Sequence, residues 1–358
     1  MSADKYNLTK KIGEGTFGSV YSGTIAANGK RVALKVSENG QGQREMFMLK
    51  VIKKNKNKSP FVLSFYETFV MDTVSTVIVM DLLDQPLCFV IDNHEGQIPL
   101  HAIRAVSKQV LSGLKALHGM GIVHNDLKTN NVMLVDHVNH PWHVKIIDFG
   151  CAVHLKYNEG TTRYRQALAY SAPESNITTI IGTTSDMWAH ACILAEMAIN
   201  EVFFDAETPQ EVTANHFRLM GTPSERFQKI AGEQFDEHFH YARGSLVPSY
   251  DDQEDQEERN RTQPTTFDDI ETYLLAADQN KKDVEEFGSF LRAMFTWNHE
   301  DRISVESALK HTWLNTTRIS DKEYGRIAKD FMLKSKAEVS RKRKIDHEDD
   351  KENKRPSP

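Results

Sequence analysis

The sequence predicts an α+β chain folded in two lobes, a small antiparallel β lobe carrying one helix and a larger, mainly helical lobe. Three observations predict it. Short β-branched and aromatic runs separated by turn signals fill the chain as far as Asp81. From His101 the apolar residues recur instead with the period of an amphipathic helix. The length of 358 residues allows two lobes, and 39% hydrophobic with 26% charged residues is the balance of a soluble globular protein, not of a fibre or a disordered chain.

Each element follows from its local pattern. KKIG and SVYSGTI flank a glycine-rich turn and RVALKV follows the turn signal AANG, which predicts antiparallel strands between Lys10 and Val36. Gln43 to Ile52 sets Met48, Leu49 and Ile52 at helical spacing behind Glu45, and the basic run KKNKNKSP beyond it reads as a loop. FVLSFYETFVM and VSTVIVMDLL add two strands, for a five-stranded sheet ending near Asp81. Farther on, Ile103, Val106, Val110, Leu114 and Leu117 share one helical face, stopped by Gly119 and Gly121. GIVHND, NVMLV and HVKIIDFG are short strand-and-loop pieces that can hold polar side chains on a rigid frame. SDMWAHACILAEMAI, apolar almost all round, predicts a helix buried at the centre of the larger lobe. Ser249 to Glu258 is acidic and reads as a solvated insertion. The expected organisation is a small lobe and hinge over 1–83, a larger lobe over 84–316 with the acidic insertion near 249–258, and an extension over 317–358, basic and disordered from about 334.

Composition excludes several classes. No apolar run approaches the roughly 18 residues needed to cross a bilayer, and Met1 to Lys10 lacks the apolar stretch of a secretory signal, so a protein inside the cell and off the membrane is expected. Cys88, Cys151 and Cys192 lie far apart without a CxxC pair, which points to neither a disulfide framework nor a zinc site. His238 and His240 read as core or surface residues. A net charge of −6 argues against a surface coated for nucleic acid, and no direct nucleic-acid partner is expected. From Lys334 onward nine Lys or Arg face six Asp or Glu, giving +3 and leaving −9 for the rest. The RKRK run at 341–344, followed by Lys354, Arg355 and Pro356, has the spacing of a two-part nuclear import signal, so the nucleus is the expected location, otherwise the cytoplasm.

Two constellations carry chemistry. Gly13, Gly15 and Gly18, followed by Val20, form GxGxxGxV between two strands; a turn without side chains brings backbone N–H groups close to a polyphosphate, although the pattern alone is equally that of a flexible turn. Lys35 closes RVALK beneath that turn and gains meaning only if a carboxylate holds it; Glu45 is the better candidate and Glu38 the rival. The second constellation is His124, Asp126, Lys128 and Asn131 in HNDLKTNN, with Asp148, Phe149 and Gly150 beginning 17 residues after Asn131. A carboxylate and a carboxamide in one cleft hold magnesium through hard oxygen ligands, while a second carboxylate accepts the proton of an attacking hydroxyl. Either piece alone is an ordinary polar turn; the ordered set is not.

In this order, GxGxxGxV, VALK, HxDLKxxN, DFG and APE resemble the protein-kinase domain, from Tyr6 to Leu314. HND in place of the usual HRD, the short distance from Lys35 to Glu45, GQREMFML and the insertion around Tyr250 resemble the homeodomain-interacting protein kinases of the CMGC group, cousins of the dual-specificity tyrosine-regulated kinases. The resemblance implies the bilobal kinase fold, ATP and Mg2+ as cofactors, and protein substrates, transcription-related or other nuclear proteins among them. It implies that Gly13, Gly15 and Gly18 cover the phosphates, that Lys35, held by Glu45, contacts the α- and β-phosphates, and that Asn131 and Asp148 bind magnesium. It makes Asp126 the base toward the acceptor hydroxyl and Lys128 the group that steadies the transferring phosphoryl, in the form typical of serine/threonine kinases. The adenine is implied to lie between Ile12, Val20, Ala33 and Met133, with Met80 as gatekeeper and the backbone of Asp81 and Leu83 as hinge contacts. His124 and Phe149 are implied to pack in the core, Asp186 to brace the catalytic loop and Glu174 to pair with Arg302.

The sequence also departs from that pattern. Asn125 replaces an arginine that in many kinases grips an activation-loop phosphate, so control by that phosphate is expected to be weak. YRQALAYSAPE places Tyr164 where the relatives carry a loop tyrosine, a candidate for autophosphorylation beside the plain reading of an ordinary loop residue. Leu168 and Ser171 stand where the relatives have arginines, which leaves proline preference after the target residue open. Two functions follow: an active serine/threonine kinase or, as the alternative, a weakly active or inactive kinase-fold scaffold that binds partners of related kinases.

Overall fold

In the computed structural model, which describes residues 5–15, 18–38, 42–55, 59–70, 75–94, 96–157, 166–178, 180–250, 264–277 and 279–315, the N-terminal strands form one antiparallel sheet. Its strands are β1 (Tyr6–Gly15), β2 (Gly18–Ile25), β3 (Arg31–Ser37), β4 (Phe65–Val70) and β5 (Thr76–Asp81), in the order β1-β2-β3-β5-β4. Strand alternation gives the sheet two different faces. Val32, Leu34, Val77 and Val79 form a small cluster with Tyr6, Ile25 and Phe69. Ala33, Ile78 and Met80 join the main core instead, where α1 (Gly42–Lys54) lays Met48, Leu49 and Ile52 against them.

The sequence places two boundaries differently. β1 begins at Tyr6, which pairs with Ile25, well before the KKIG run. The first residues of FVLSFYETFVM are not strand: Val62 bridges Ile146, and the Leu63 N–H donates to the Ile146 carbonyl at 2.9 Å. An apolar run long enough for one strand is thus divided between a connector docked on the larger lobe and β4.

The larger lobe opens with the short helix α2 (Leu87–Asp92) and is organised by α3 (Leu100–His118) and α4 (Thr183–Ile199). Ile103, Val106, Val110, Leu114 and Leu117 are all buried, the stripe expected of α3. Gly119 stays right-handed, whereas Gly121 takes φ 73, so only the second glycine uses a conformation other residues avoid. Every residue of α4 from Ser185 to Ile199 is buried, and Trp188 stacks on Phe204 at 5.8 Å and meets the edge of Phe295 at 4.8 Å. Between these helices, β6 (Ile122–Val123) pairs with β9 (Val153–His154), and β7 (Val132–Asp136) with β8 (His140–Ile146), two small ribbons carrying the polar motifs. A hairpin of β10 (Phe239–Ala242) and β11 (Ser245–Pro248) precedes the acidic insertion. His238, just before it, is buried with Nδ1 3.0 Å from the Thr213 hydroxyl. Residues 251–258 of the insertion, Tyr164 and the extension 317–358 lie outside the described residues. Among the described residues no helix is long and apolar enough to cross a membrane.

Candidate active site

The roof is the β1–β2 hairpin, with Gly13 opposite Val20 and Gly15 opposite Gly18. Gly18 has φ +136, and a Cβ there would stand 2.1 Å from the Val36 carbonyl, so glycine is required by the neighbouring strand. At Gly15 a Cβ would meet nothing within 4 Å, and at Gly13 only Val20 at 3.8 Å; the space over these two is a cradle that side chains would fill. Val20 pairs with Lys35 and Ala33 with Met80, which puts all four on one face of the sheet. Ala33 and Met80 are buried, Val20, Leu83 and Met133 half-buried, and Ile12 remains 43% exposed on the roof strand. Pro86 bridges Met133, linking the segment after β5 to β7.

Lys35 is the centre of the upper charge cluster. Its Nζ lies 2.8 Å from Glu45 Oε2 and 3.2 Å from Asp148 Oδ1, so Glu45, not the exposed Glu38, is its partner. Burial works against the Lys35 cation, but the two carboxylates outweigh it and raise its pKa. Burial likewise works against the charge on Asp148, yet Lys35 and the Gly150 N–H hold its carboxyl below the usual carboxylate range. Burial pushes the Glu45 carboxyl up, and Lys35 pulls it back.

The lower cluster is pinned from below. Asp186 at the start of α4 accepts the backbone N–H groups of His124 at 2.9 Å and Asn125 at 3.0 Å, and its Oδ2 lies 2.8 Å from His118 Nε2. His124 Nδ1 accepts the Asp126 N–H at 3.3 Å while Nε2 donates to the Ile147 carbonyl at 2.8 Å, which fixes both tautomer and ring. Phe149 is fully buried with its ring 5.4 Å from that of His124. Asn125 and Asp148 hold φ 62 and φ 60, left-handed conformations seldom taken by non-glycine residues and common where side chains must be aimed. Lys128 Nζ donates to both Asp126 oxygens, at 3.1 and 3.0 Å. Asn131 Nδ2 donates to the Asp126 carbonyl at 2.7 Å and to Oδ2 at 3.0 Å, which leaves Oδ1 on the other side of the amide. The Ile147 N–H donates to the Asn131 carbonyl at 2.9 Å, so Asn131 and Asp148 are held on adjacent strands' ends.

Other expected residues behave as packing. Arg302 donates to Glu174 at 2.6 and 2.8 Å, both side chains fully buried. The Asp81 side chain accepts Lys145 at 2.7 Å and the Tyr66 hydroxyl, which together lower its pKa against the effect of burial. Its backbone N–H donates to Ser64 at 3.1 Å. Sequence reasoning missed Arg44, whose Nε donates to the Ala152 carbonyl at 3.2 Å and ties α1 to the segment after Gly150. It also missed Thr129 and Glu196; Glu196 is one of two acidic residues in α4, beside Asp186, and its spacing gave no sign of its partners.

A strand-borne lysine clamped by a helix glutamate, over a pinned loop of aspartate, lysine and asparagine, defines a protein kinase domain. The protein kinase domain family model matches residues 6–314, and the chain belongs to that family. It is similar to homeodomain-interacting protein kinase 1 of Caenorhabditis elegans, with 28% identity over 348 residues, 88% of this chain and 41% of the relative. Homeodomain-interacting protein kinase 2 of Mus musculus is 28% identical over 339 residues, 88% of this chain and 28% of the relative. Homeodomain-interacting protein kinase 4 of Homo sapiens is 26% identical over 348 residues, 88% of this chain and 56% of the relative. The chain thus spans little more than half, or less, of each relative's length. A protein kinase domain uses ATP, and the donor set fits Mg·ATP: hard oxygens on Asp148 and Asn131, one buried cation at Lys35 and a side-chain-free cradle above.

Proposed function

We propose that the chain is a serine/threonine protein kinase that transfers the γ-phosphoryl group of ATP to protein hydroxyls. The observation that carries this reading is Lys35 suspended between Glu45 and Asp148, with Asp126 held by Lys128 and Asn131 on the loop below. Gly13, Gly15 and Gly18 take the phosphate backbone, Lys35 the α- and β-phosphates, and Ile12, Val20, Ala33, Met80 and Met133 the adenine, with the backbone of Asp81 and Leu83 at the hinge. Asn131 Oδ1 and the Asp148 carboxylate are the magnesium ligands; bound magnesium supplies neutralisation of phosphate charge. Asp126 accepts the proton of the acceptor hydroxyl, and Lys128, already at its carboxylate, balances charge on the transferring group. Positioning and charge do most of the work, as little covalent chemistry falls to the protein.

The protein substrates are transcription-related or other nuclear proteins, reached through the basic runs of the extension, and Tyr164 is the autophosphorylation site. The boundaries 1–83, 84–316 and 317–358 follow from the same reading. One observation favours the scaffold alternative: Ser171 closes a local turn on the Leu168 carbonyl at 2.8 Å where the relatives place a cation. Incubation of the purified chain with Mg·ATP and a generic basic protein, beside Asp148→Asn, separates the two. Label in the parent alone supports the enzyme; equal label in both overturns it. Peptide mapping for phosphate on Tyr164 and a reporter fused to residues 340–358 test the loop and the location.

A further inference from the structure

Beneath the catalytic loop lies a cluster of three oxygen-bearing side chains that phosphoryl transfer, as read above, does not use. Thr129 Oγ1 is 2.9 Å from Glu196 Oε1, the Tyr170 hydroxyl is 2.5 Å from Glu196 Oε2, and the two hydroxyls are 3.0 Å from each other. The three residues are 1%, 7% and 4% exposed. They come from three elements: Thr129 opens the turn Thr129–Asn131 that carries Asn131, Tyr170 ends the turn Leu168–Tyr170, and Glu196 sits in α4.

We propose that Thr129, Tyr170 and Glu196 share a proton in a closed ring, and that Thr129 is a positioning residue which thereby fixes the catalytic loop against the turn facing the protein substrate. The proposal rests on the kinase reading. The number of protons available decides which form the ring takes. With Glu196 ionised, two hydroxyl protons serve three oxygen–oxygen contacts; both point at the carboxylate, and the Thr129–Tyr170 contact sets lone pair against lone pair. With Glu196 protonated, its O–H donates to one hydroxyl, that hydroxyl donates to the second, and the second donates back to the other carboxyl oxygen. Three protons then satisfy three contacts, and no buried charge remains.

The surroundings favour the neutral form. Among the described residues no Lys, Arg or His lies within ion-pair distance of Glu196. Burial raises its carboxyl, the Tyr170 and Thr129 hydrogen bonds pull it down, and Asp92 at the end of the neighbouring helix (Leu87–Asp92) raises it, to about 7. The other groups facing it are Cys88 on that helix and Cys192 on α4, thiols whose pKa values are both raised by burial, and Tyr170, raised in the same way so that it keeps its proton. Glu196 is therefore the member of the ring that titrates near neutrality.

The test compares the parent with Glu196→Gln, Thr129→Val and Thr129→Ser. A glutamine amide donates and accepts as the protonated acid does but cannot ionise. Because the folded pKa of Glu196 lies above its ordinary 4.5, its stabilising effect is present at low pH and is lost as pH rises through about 7. Melting measured from about pH 5.5 to about 8.5 should show Glu196→Gln gaining Tm over the parent as pH rises toward about 7 and the gain levelling off above it; a difference flat over the whole range overturns the shared proton. At fixed pH, Thr129→Val should lower kcat roughly tenfold with KM for ATP unchanged, and Thr129→Ser should restore it. Parent-like kcat in Thr129→Val overturns the positioning role. If that variant fails to fold, Tyr170→Phe breaks the same contact and must show the same split. Loss of transfer in every variant and the parent alike would instead sink the kinase reading, and the melting comparison still decides the ring.

Discussion

Replacing Arg302 with leucine isolates what holds the end of the substrate-facing segment to the rest of the larger lobe. Nη1 donates to Glu174 Oε1 at 2.6 Å and to the Thr184 carbonyl at 2.8 Å; Nη2 donates to Glu174 Oε2 at 2.8 Å and to the Thr296 carbonyl at 3.0 Å. The guanidinium also lies 5.2 Å from the Trp188 ring centroid. Arg302→Leu removes four charge-assisted bonds and strands the Glu174 carboxylate, a loss of about 3–5 kcal/mol for a broken buried pair. At about 2 °C per kcal/mol for a large domain, Tm should fall by at least about 6 °C in scanning calorimetry. Adding Glu174→Gln removes the stranded charge and should recover part of the loss, since the two sites are coupled. An Arg302→Leu Tm within about 2 °C of the parent, or a double variant that shows strict additivity, would refute the argument that this pair is a structural tie.

Other outcomes follow from the site. Asp126→Asn should cut transfer by about 10²–10⁴ while nucleotide affinity by calorimetry stays at the parent value; a matching loss of affinity would contradict a role confined to the acceptor. Gly18→Ala should lower Tm, because its Cβ would stand 2.1 Å from the Val36 carbonyl, whereas Gly15→Ala should leave Tm unchanged and weaken nucleotide binding; equal effects in both assays would remove the cradle argument. Asp148 has a depressed folded pKa, so its stabilising effect is present above the ordinary carboxylate range and is lost as pH falls through the folded value; acid unfolding of Asp148→Asn should lack that component.

The strands and α3 were legible because their apolar residues repeat with the period of the element, as Val32 and Leu34 or Ile103, Val106 and Val110 show. The pairing of Lys35 with Glu45 was legible too, since Glu45 leads the one helix of the small lobe. Phe61 to Ser64 misread as strand because local pattern carries no information about Ile146, which lies far along the chain and captures Val62 and Leu63. Arg44, Thr129 and Glu196 were invisible for the same reason: their partners, Ala152 and Tyr170 among them, are assembled only by the fold. Motif residues announce themselves by spacing, whereas the groups that hold them in place do so only by contact.

The burial of α4 on every side sets a hierarchy of motion. From Ser185 to Ile199 its residues are buried, so its amide hydrogens are expected among the slowest to exchange. Asp186, Glu196 and the stack on Trp188 all hang from that one rod, and the catalytic loop inherits its rigidity through Asp186. In the small lobe the roof strand β1 is exposed along most of its length. Breathing of the cleft therefore happens by the roof lifting from a floor that stays still.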